Sequence, residues 1–164
     1  MIDDSGQPPR TVSISLQEGI GGPLWVGIVD LRQRVFGHEQ GIVEAAASDV
    51  EDERSLHAVA TIDAAEGGVQ IVVAAGRITL HNQGRDEAIV AWVATDMAYR
   101  RRGIGREIMY ALLDEADRAG LKETVLAAQR HAEAFYAGLG FVPTGAPYKV
   151  RGIPHRWMVR ARPR

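Results

Sequence analysis

The sequence predicts an α/β protein built on one mixed central sheet with helices on both faces. Two observations support this prediction. Short segments rich in apolar and β-branched residues recur along the chain, and segments with apolar residues at helical spacing separate them. In addition, a strand pattern at 88–95, an amphipathic helix at 103–119 and a further strand at 124–127 follow one another, which is the order of a crossover between adjacent strands.

The N-terminal part of the chain predicts a tail, a strand and a helix. Residues 1–10 contain Gly6 and two prolines and are expected to form a flexible tail. Residues 11–16 alternate apolar and polar side chains, which predicts a strand, and 24–36 place apolar residues at helical spacing after Pro23. Residues 37–54 are polar, acidic and alanine-rich, and they predict either a short second helix or a mobile loop.

The remaining elements follow from the same patterns. The other predicted strands are short apolar runs at 56–62, 69–80, 88–95 and 124–127, the first two joined by a glycine turn at 66–68. The helix at 103–119 carries an apolar stripe and ends at Gly120, and a second helix covers 131–139. Residues 148–150 and 156–161 predict an antiparallel hairpin with Gly152 and Pro154 in its turn.

Composition narrows the class of protein. The chain has 164 residues, enough for one domain with a hydrophobic core, which we assign to 11–164. It contains no cysteine, which excludes disulfides, thiolate metal sites and a cysteine nucleophile, and no other cluster has the spacing of a metal site. A net charge of −2 argues against a nucleic-acid partner. No apolar run is as long as a membrane span and the N-terminus is acidic, so we expect a cytoplasmic protein.

Arginines and glycines cluster where the strand at 88–95 gives way to the helix at 103–119. The first turn of a helix presents unpaired N–H groups and the positive end of its dipole, and arginines add charge, so this loop predicts a phosphate or pyrophosphate site. The two familiar phosphate loops do not fit. Arg106 and Glu107 stand where a Walker loop needs Lys-Ser/Thr, and Ile108 replaces the third glycine of a dinucleotide fingerprint.

The spacing Arg100-x-x-Gly103-x-Gly105 resembles the Arg/Gln-x-x-Gly-x-Gly/Ala motif of the GNAT family of N-acetyltransferases. A later block, 125–141, is similar to another family motif, in which a strand is followed by Phe-Tyr and then Leu-Gly-Phe. Gln129 departs from this pattern, since asparagine is commoner there. The tail from Pro143 to Met158 resembles the subgroup that includes the ElaA proteins. So does the N-terminal half, through Leu31-Arg32-x-x-Val35-Phe36-x-x-Glu39-Gln40, Asp49-x-x-Asp52 and His57.

This resemblance implies the GNAT fold, with a mostly antiparallel sheet. It also implies transfer of an acetyl group from acetyl-CoA to a primary amine of a small molecule or peptide. Direct attack in a ternary complex is favoured, because the chain has no cysteine. The resemblance also allows a homodimer. Two alternatives stay open: an acyl-CoA-binding module without catalysis, and an enzyme like the acyl-homoserine-lactone synthases, whose tryptophan-rich N-terminal pattern is absent here.

The resemblance assigns the co-substrate to one set of residues. The glycine-arginine loop would hold the pyrophosphate, and the end of the preceding strand would pair with the pantetheine arm through its backbone. The residues predicted to bind acetyl-CoA are Val93, Ala94, Thr95, Arg100, Arg101, Arg102, Gly103, Ile104, Gly105, Arg106 and Gln129.

The chemistry also needs an acid for the departing thiolate and a base for the amine. Tyr136 matches the family tyrosine that acts as the acid. Four residues are candidates for the base, Glu39, Glu44, His57 and His155, of which Glu39 ranks first. His155 and His57 are also predicted to contact the acceptor. The acidic residues Asp49, Asp52 and Glu53 predict a solvated loop.

Overall fold

The computed structural model describes residues 11–41, 47–64, 68–81 and 83–164. The strands are β1 (Ser13–Glu18), β2 (Leu56–Asp63), β3 (Gln70–Thr79), β4 (Glu87–Thr95), β5 (Glu123–Gln129), β6 (Val142–Val150) and β7 (Ile153–Ala161). The helices are α1 (Trp25–Arg32), α2 (Ile104–Arg118) and α3 (Glu133–Ala137). Helix α1 continues directly into a π-helical segment, Gln33–Glu39.

The strands form one sheet in the order β1-β2-β3-β4-β5-β7-β6. Every neighbouring pair is antiparallel except β4 and β5, which run parallel. Helix α2 makes the crossover between these two strands, as the order of patterns predicts. The predicted mixed, mostly antiparallel α/β sheet is therefore confirmed.

Helices cover both faces of the sheet. Helices α2 and α3 pack on one face, where Ile108 and Leu112 lie in the same buried cluster as Tyr136 and Phe141. Helix α1 packs on the other face through Ile28 and Leu31, which contact a smaller cluster. We call these the α2 face and the α1 face. The predicted stripe on α2 is buried as expected, since each of its four residues is at most 6% exposed: Ile104, Ile108, Leu112 and Ala116.

A β-bulge interrupts the middle of β4. Ala91 pairs with Arg77 and Ala94 pairs with Ala75, so Trp92 and Val93 together oppose the single residue Gly76. Trp92 has a φ of 56°, in the left-handed region. A Cβ atom on Gly76 would lie 2.9 Å from Ile108 Cγ2, so the glycine lets α2 pack closely over the bulge.

The structure moves several predicted boundaries. The first helix does not end at residue 36, because the π-helical segment extends it to Glu39. The second helical region is shorter than predicted, with one 3₁₀ turn at Arg130–Ala132 before α3. Pro154 lies in β7 and not in the turn. It is tolerated there because β5 pairs with β7 only as far as His155. The predicted tail at 1–10 and most of the turn at 66–68 lie outside the described residues.

Candidate active site

A cleft opens where β4 and β5 separate. The two parallel strands pair from Glu87 and Glu123 to Val90 and Leu126, and beyond that point they diverge. The resulting cleft has a volume of about 1310 Å³. Its walls come from the second half of β4, the end of β5, the N-terminal end of α2, α3, the π-helical segment and the β6–β7 hairpin. A cleft of this size suits an elongated ligand with an apolar arm and a charged end.

The glycine-arginine loop lies at one end of this cleft. Gly103 caps α2 with a φ of 80°, and Arg101 also has a positive φ, of 61°. Alternation of left- and right-handed residues turns successive N–H groups toward one side, which makes a concave anion site. The N–H of Glu107 donates to the Gly103 carbonyl at 3.1 Å, so the amides before it belong to the unpaired first turn of α2.

Most residues predicted to bind the co-substrate line this cleft: Val93, Ala94, Thr95, Arg100, Arg101, Gly103, Ile104, Gly105, Arg106 and Gln129. Arg102 is the exception. Its side chain is exposed, and its guanidinium lies 5.4 Å from the centre of the Tyr99 ring, which itself lines the cleft. Three of the residues predicted for catalysis or acceptor contact line the cleft as well: Tyr136, Glu39 and His155.

Tyr136 is almost completely buried where α3 meets the cleft. Only 8% of the residue is exposed. Its ring packs edge-on against Phe135 at 5.1 Å and against Phe141 at 6.0 Å. Burial raises the pKa of Tyr136 to about 12, because the phenolate would lose its hydration. The hydroxyl therefore keeps its proton at neutral pH, while the same burial makes it a weaker acid than a solvated phenol.

Glu39 forms an ion pair with Arg100 across the cleft. Arg100 Nη2 lies 2.6 Å from Glu39 Oε2, and Arg100 Nε donates to the Thr95 carbonyl at 2.9 Å. Next to this pair, the side-chain amides of Gln40 and Gln129 exchange two hydrogen bonds, of 2.9 and 3.1 Å. The end of the π-helical segment is thus tied by polar contacts to the loop and to β5.

His155 lines the cleft from β7. Its Nδ1 lies 2.8 Å from the Ile153 carbonyl oxygen, which can only accept, so Nδ1 carries the proton. In the neutral ring Nε2 then keeps its lone pair. The ring of Tyr148 stacks on the imidazole at 6.0 Å, which orients it.

His57 does not line the cleft, and the structure does not bring it to the predicted acceptor site. It is fully buried, with Nε2 3.1 Å from the Asp52 carbonyl oxygen and Nδ1 3.5 Å from Arg32 Nη2. Burial is the main reason that the pKa of His57 is lowered, and the Arg32 charge adds to it. A neutral imidazole enclosed in this way belongs to the core. Glu44 lies outside the described residues.

The prediction of a solvated acidic loop is wrong for Asp52, whereas Asp49 is exposed as predicted but is also paired. Asp52 is fully buried and accepts hydrogen bonds from Arg32 at 3.1 Å and from Arg77 at 2.9 Å. Asp49 lines the cleft, contacts Arg77 and accepts from the Trp92 indole N–H at 3.0 Å. Burial raises the pKa of Asp49, but the hydrogen bonds from Arg77 and Trp92 outweigh this effect and lower it overall, so the carboxylate stays ionised.

Sequence reasoning also missed the aromatic wall of the cleft, formed by Phe36, Trp92 and Trp157. One pattern could have pointed to the buried acids. Arg77 stands inside an otherwise apolar strand, and a buried guanidinium requires a carboxylate partner. In the part of the chain that the structure describes, no group of three potential ligands could hold a metal ion. Over the same residues, no helix is long and apolar enough to cross a membrane.

Comparisons with known proteins agree with this geometry. The acetyltransferase (GNAT) domain family matches residues 19–161. The UPF0039 protein sll0451 of Synechocystis is 32% identical over 141 residues, which cover 85% of this chain and 88% of that protein. An acyl-CoA N-acyltransferase structure from Pseudomonas aeruginosa superposes with a TM-score of 0.78 at 26% identity, covering 92% of this chain and all of that one. The chain therefore belongs to the GNAT acetyltransferase family, whose members transfer acyl groups from acyl-CoA.

Within this family the chain is ElaA-like. ElaA of Escherichia coli is 30% identical over 90 residues, 54% of this chain and 59% of ElaA. The crystal structure of that protein superposes with a TM-score of 0.77 at 22% identity, over 92% of this chain and 99% of that one.

Proposed function

We propose that the protein transfers an acetyl group from acetyl-CoA to a primary amine of a small molecule or peptide, by direct attack in a ternary complex. One observation supports this most strongly: the first turn of α2, the free edge of β4 and the Tyr136 side chain all line the same cleft. One cleft thus brings together a candidate anion site, a strand edge and a proton donor, the three features that an acyl-CoA thioester requires. A cytoplasmic location and a homodimer stay predictions.

The loop would hold the pyrophosphate mainly through backbone amides, with charge from Arg100, Arg101 and Arg106. Once β4 and β5 diverge, the backbone edge of 93–95 has no neighbouring strand on the cleft side. Such an edge can pair with the amides of a pantetheine arm as a further strand would. An N–H of the same edge would stabilise the negative charge that develops on the thioester oxygen.

Proton transfers complete the reaction. Glu39 takes one proton from the amine, whose ordinary pKa near 10.4 would otherwise keep it charged and unreactive, and passes it to solvent. The amine nitrogen then attacks the thioester carbon, the C–N bond forms and the C–S bond breaks, and Tyr136 gives its hydroxyl proton to the departing sulfur, which leaves as a thiol. The second proton, which the nitrogen loses as the amide forms, passes through water and restores the Tyr136 hydroxyl.

Glu39 can serve as a base only if its carboxylate is released from Arg100. The pair is partly exposed, with 39% of the Arg100 side chain and 23% of the Glu39 side chain accessible. Exposed ion pairs contribute little net stability, so a pyrophosphate can compete for this guanidinium. His155 is the second candidate base, because it lines the cleft and its Nδ1 is held by the Ile153 carbonyl oxygen.

Calorimetry with acetyl-CoA and a thiol-release assay over amines and peptides test this proposal. Ligand at about 100 times its Kd should raise stability by roughly 2.7 kcal/mol. Tight binding without thiol release for any amine would favour the non-catalytic acyl-CoA-binding module. No binding at all would contradict both. The synthase-like alternative keeps only its likeness in the first helix, and no feature of the cleft adds to it.

A further inference from the structure

We propose that Asp49 and Arg32 are positioning residues for acyl-CoA binding, and that they act by holding Trp92 in the left-handed conformation that creates the bulge in β4. This inference rests on the proposed function, since it assumes that the co-substrate pairs with the edge of β4. It gives a role to the Asp49-x-x-Asp52 and Arg32 motif, which the acetyl-transfer mechanism leaves unused.

Trp92 adopts an unfavourable backbone conformation. Its φ of 56° places a bulky side chain where glycine is normally required. Strained residues of this kind persist only when their surroundings fix them, and they concentrate at functional sites. The contacts of the Trp92 side chain are therefore what keeps the bulge in place.

Three groups hold the Trp92 side chain. The indole Nε1–H donates to Asp49 Oδ2 at 3.0 Å. The Arg32 guanidinium lies 4.8 Å from the centre of the ring, within cation–π distance. Phe36, from the π-helical segment, packs edge-on at 5.3 Å. These three contacts come from the α1 face. They are one hydrogen bond, one cation–π contact and one edge-on ring contact.

Asp49 and Arg32 are themselves fixed by a buried ionic cluster. Asp49 Oδ1 accepts from Arg77 and from the Glu51 N–H, the latter at 2.9 Å. Arg32 is only 1% exposed and donates to Asp52 at 3.1 Å. The two carboxylates and two guanidiniums balance in charge, so the cluster needs no counterion from the cleft.

The bulge decides which backbone groups of β4 face the cleft. Ala88 and Val90 pack on the α2 face, and simple alternation would place Ala94 there too. Instead Val93 packs on the α2 face and Ala94 on the α1 face. The extra residue at Trp92 thus exchanges the two faces of the sheet toward which the side chains of 93–95 alternate. Without it, the N–H and C=O groups offered to the co-substrate would be those of the adjacent residues.

The test is a double-mutant cycle of CoA affinity, measured by calorimetry. Trp92→Phe keeps the ring and removes the N–H, whereas Asp49→Ala removes the acceptor. Each should weaken CoA binding about tenfold, as expected for losing a hydrogen bond to a charged group. Because both remove the same contact, the double variant should also be about tenfold weaker, and not a hundredfold.

Asp117→Ala is the matched control, since it removes an ion pair with Arg160 at 3.0 Å outside the cleft lining. It should lower the melting temperature and leave CoA affinity unchanged. Independent effects in the double variant, or normal CoA affinity in Trp92→Phe, would overturn the positioning role. Normal CoA affinity in Trp92→Phe would overturn the positioning role even if Asp49→Ala does not fold, because Trp92→Phe leaves every charge in place. Failure of the wild-type chain to bind CoA would instead remove the proposed function.

Discussion

Replacing Tyr136 by phenylalanine removes one hydroxyl and keeps the ring that packs between Phe135 and Phe141. If Tyr136 protonates the departing thiolate, the turnover number should fall by about 10²–10⁴-fold, the usual range for a lost general acid. The KM for acetyl-CoA should change little, because the loop from Arg100 to Arg106 is untouched. Steady-state thiol release with a reactive amine measures both quantities.

Burial of Tyr136 also predicts how the rate depends on pH. Its pKa of about 12 lies two units above the ordinary value of 10.0, so the hydroxyl keeps its proton throughout the range in which an amine acceptor loses its own. The wild-type rate should show no alkaline decline assignable to Tyr136 below pH 10, and the defect of the phenylalanine variant should be uniform up to that pH. Near-normal turnover in the variant would refute the acid role and leave Tyr136 as a packing residue.

The same shift affects stability at high pH. Between pH 10 and 12 the unfolded chain releases the Tyr136 proton while the folded chain keeps it, so the free energy of unfolding falls as pH rises. Two pKa units correspond to roughly 3 kcal/mol. Urea unfolding of Tyr136→Phe should lack this part of the alkaline loss. Parallel stability curves for the two proteins would show that the hydroxyl is not buried in solution.

Three further predictions concern the rest of the site. Gly105→Trp should abolish CoA binding in calorimetry, because the indole would occupy part of the cleft that Gly105 lines. The fold should be retained, since a Cβ there would make only an ordinary contact with Thr95 Oγ1, at 3.5 Å. Unchanged affinity would place the anion site elsewhere. Glu39→Gln should lower turnover about 10²-fold, because it removes the proposed base. It should not weaken CoA binding, since the Glu39 carboxylate competes with the pyrophosphate for Arg100. Weaker CoA binding would contradict this. The free energy of unfolding of the wild-type protein should fall as pH drops below 6.5. Burial lowers the pKa of His57 in the folded state, so the unfolded state takes up the proton first. Between pH 7 and 5 the urea midpoint of His57→Asn should therefore fall less than that of the wild type.

Much of the fold could be predicted from local patterns. The stripe on α2 is buried because its spacing follows the helical period, and the strand runs at 56–62 and 69–80 become central strands because their residues suit a two-sided core. The glycine-arginine loop was also predictable, since helix initiation, positive φ at Gly103 and positive charge are all properties of neighbouring residues. The placement of nine predicted co-substrate residues on one cleft follows from this single local motif and the strand before it, and the tenth, Gln129, comes from the end of β5.

The sequence could not reveal which charges are buried. Asp49, Asp52 and Glu53 look alike along the chain, but only the first two meet Arg77, which arrives from a strand more than twenty residues away. His57 likewise resembles a candidate ligand until the fold encloses it between Arg32 and Asp52. Burial and ion pairing depend on long-range contacts, so composition and spacing do not determine them.

By itself, the sequence determined the fold class, the family and the position of the glycine-arginine loop, because each depends on periodicity or on residues adjacent in the chain. The tertiary structure decided the bulge at Trp92, the pairing of Glu39 with Arg100 and the burial of the tyrosine hydroxyl. Each of these joins elements far apart in sequence. The bulge is the clearest case: alternation along β4 predicts one phase, and the structure shows the other, with the Trp92 indole in contact with Asp49, Arg32 and Phe36.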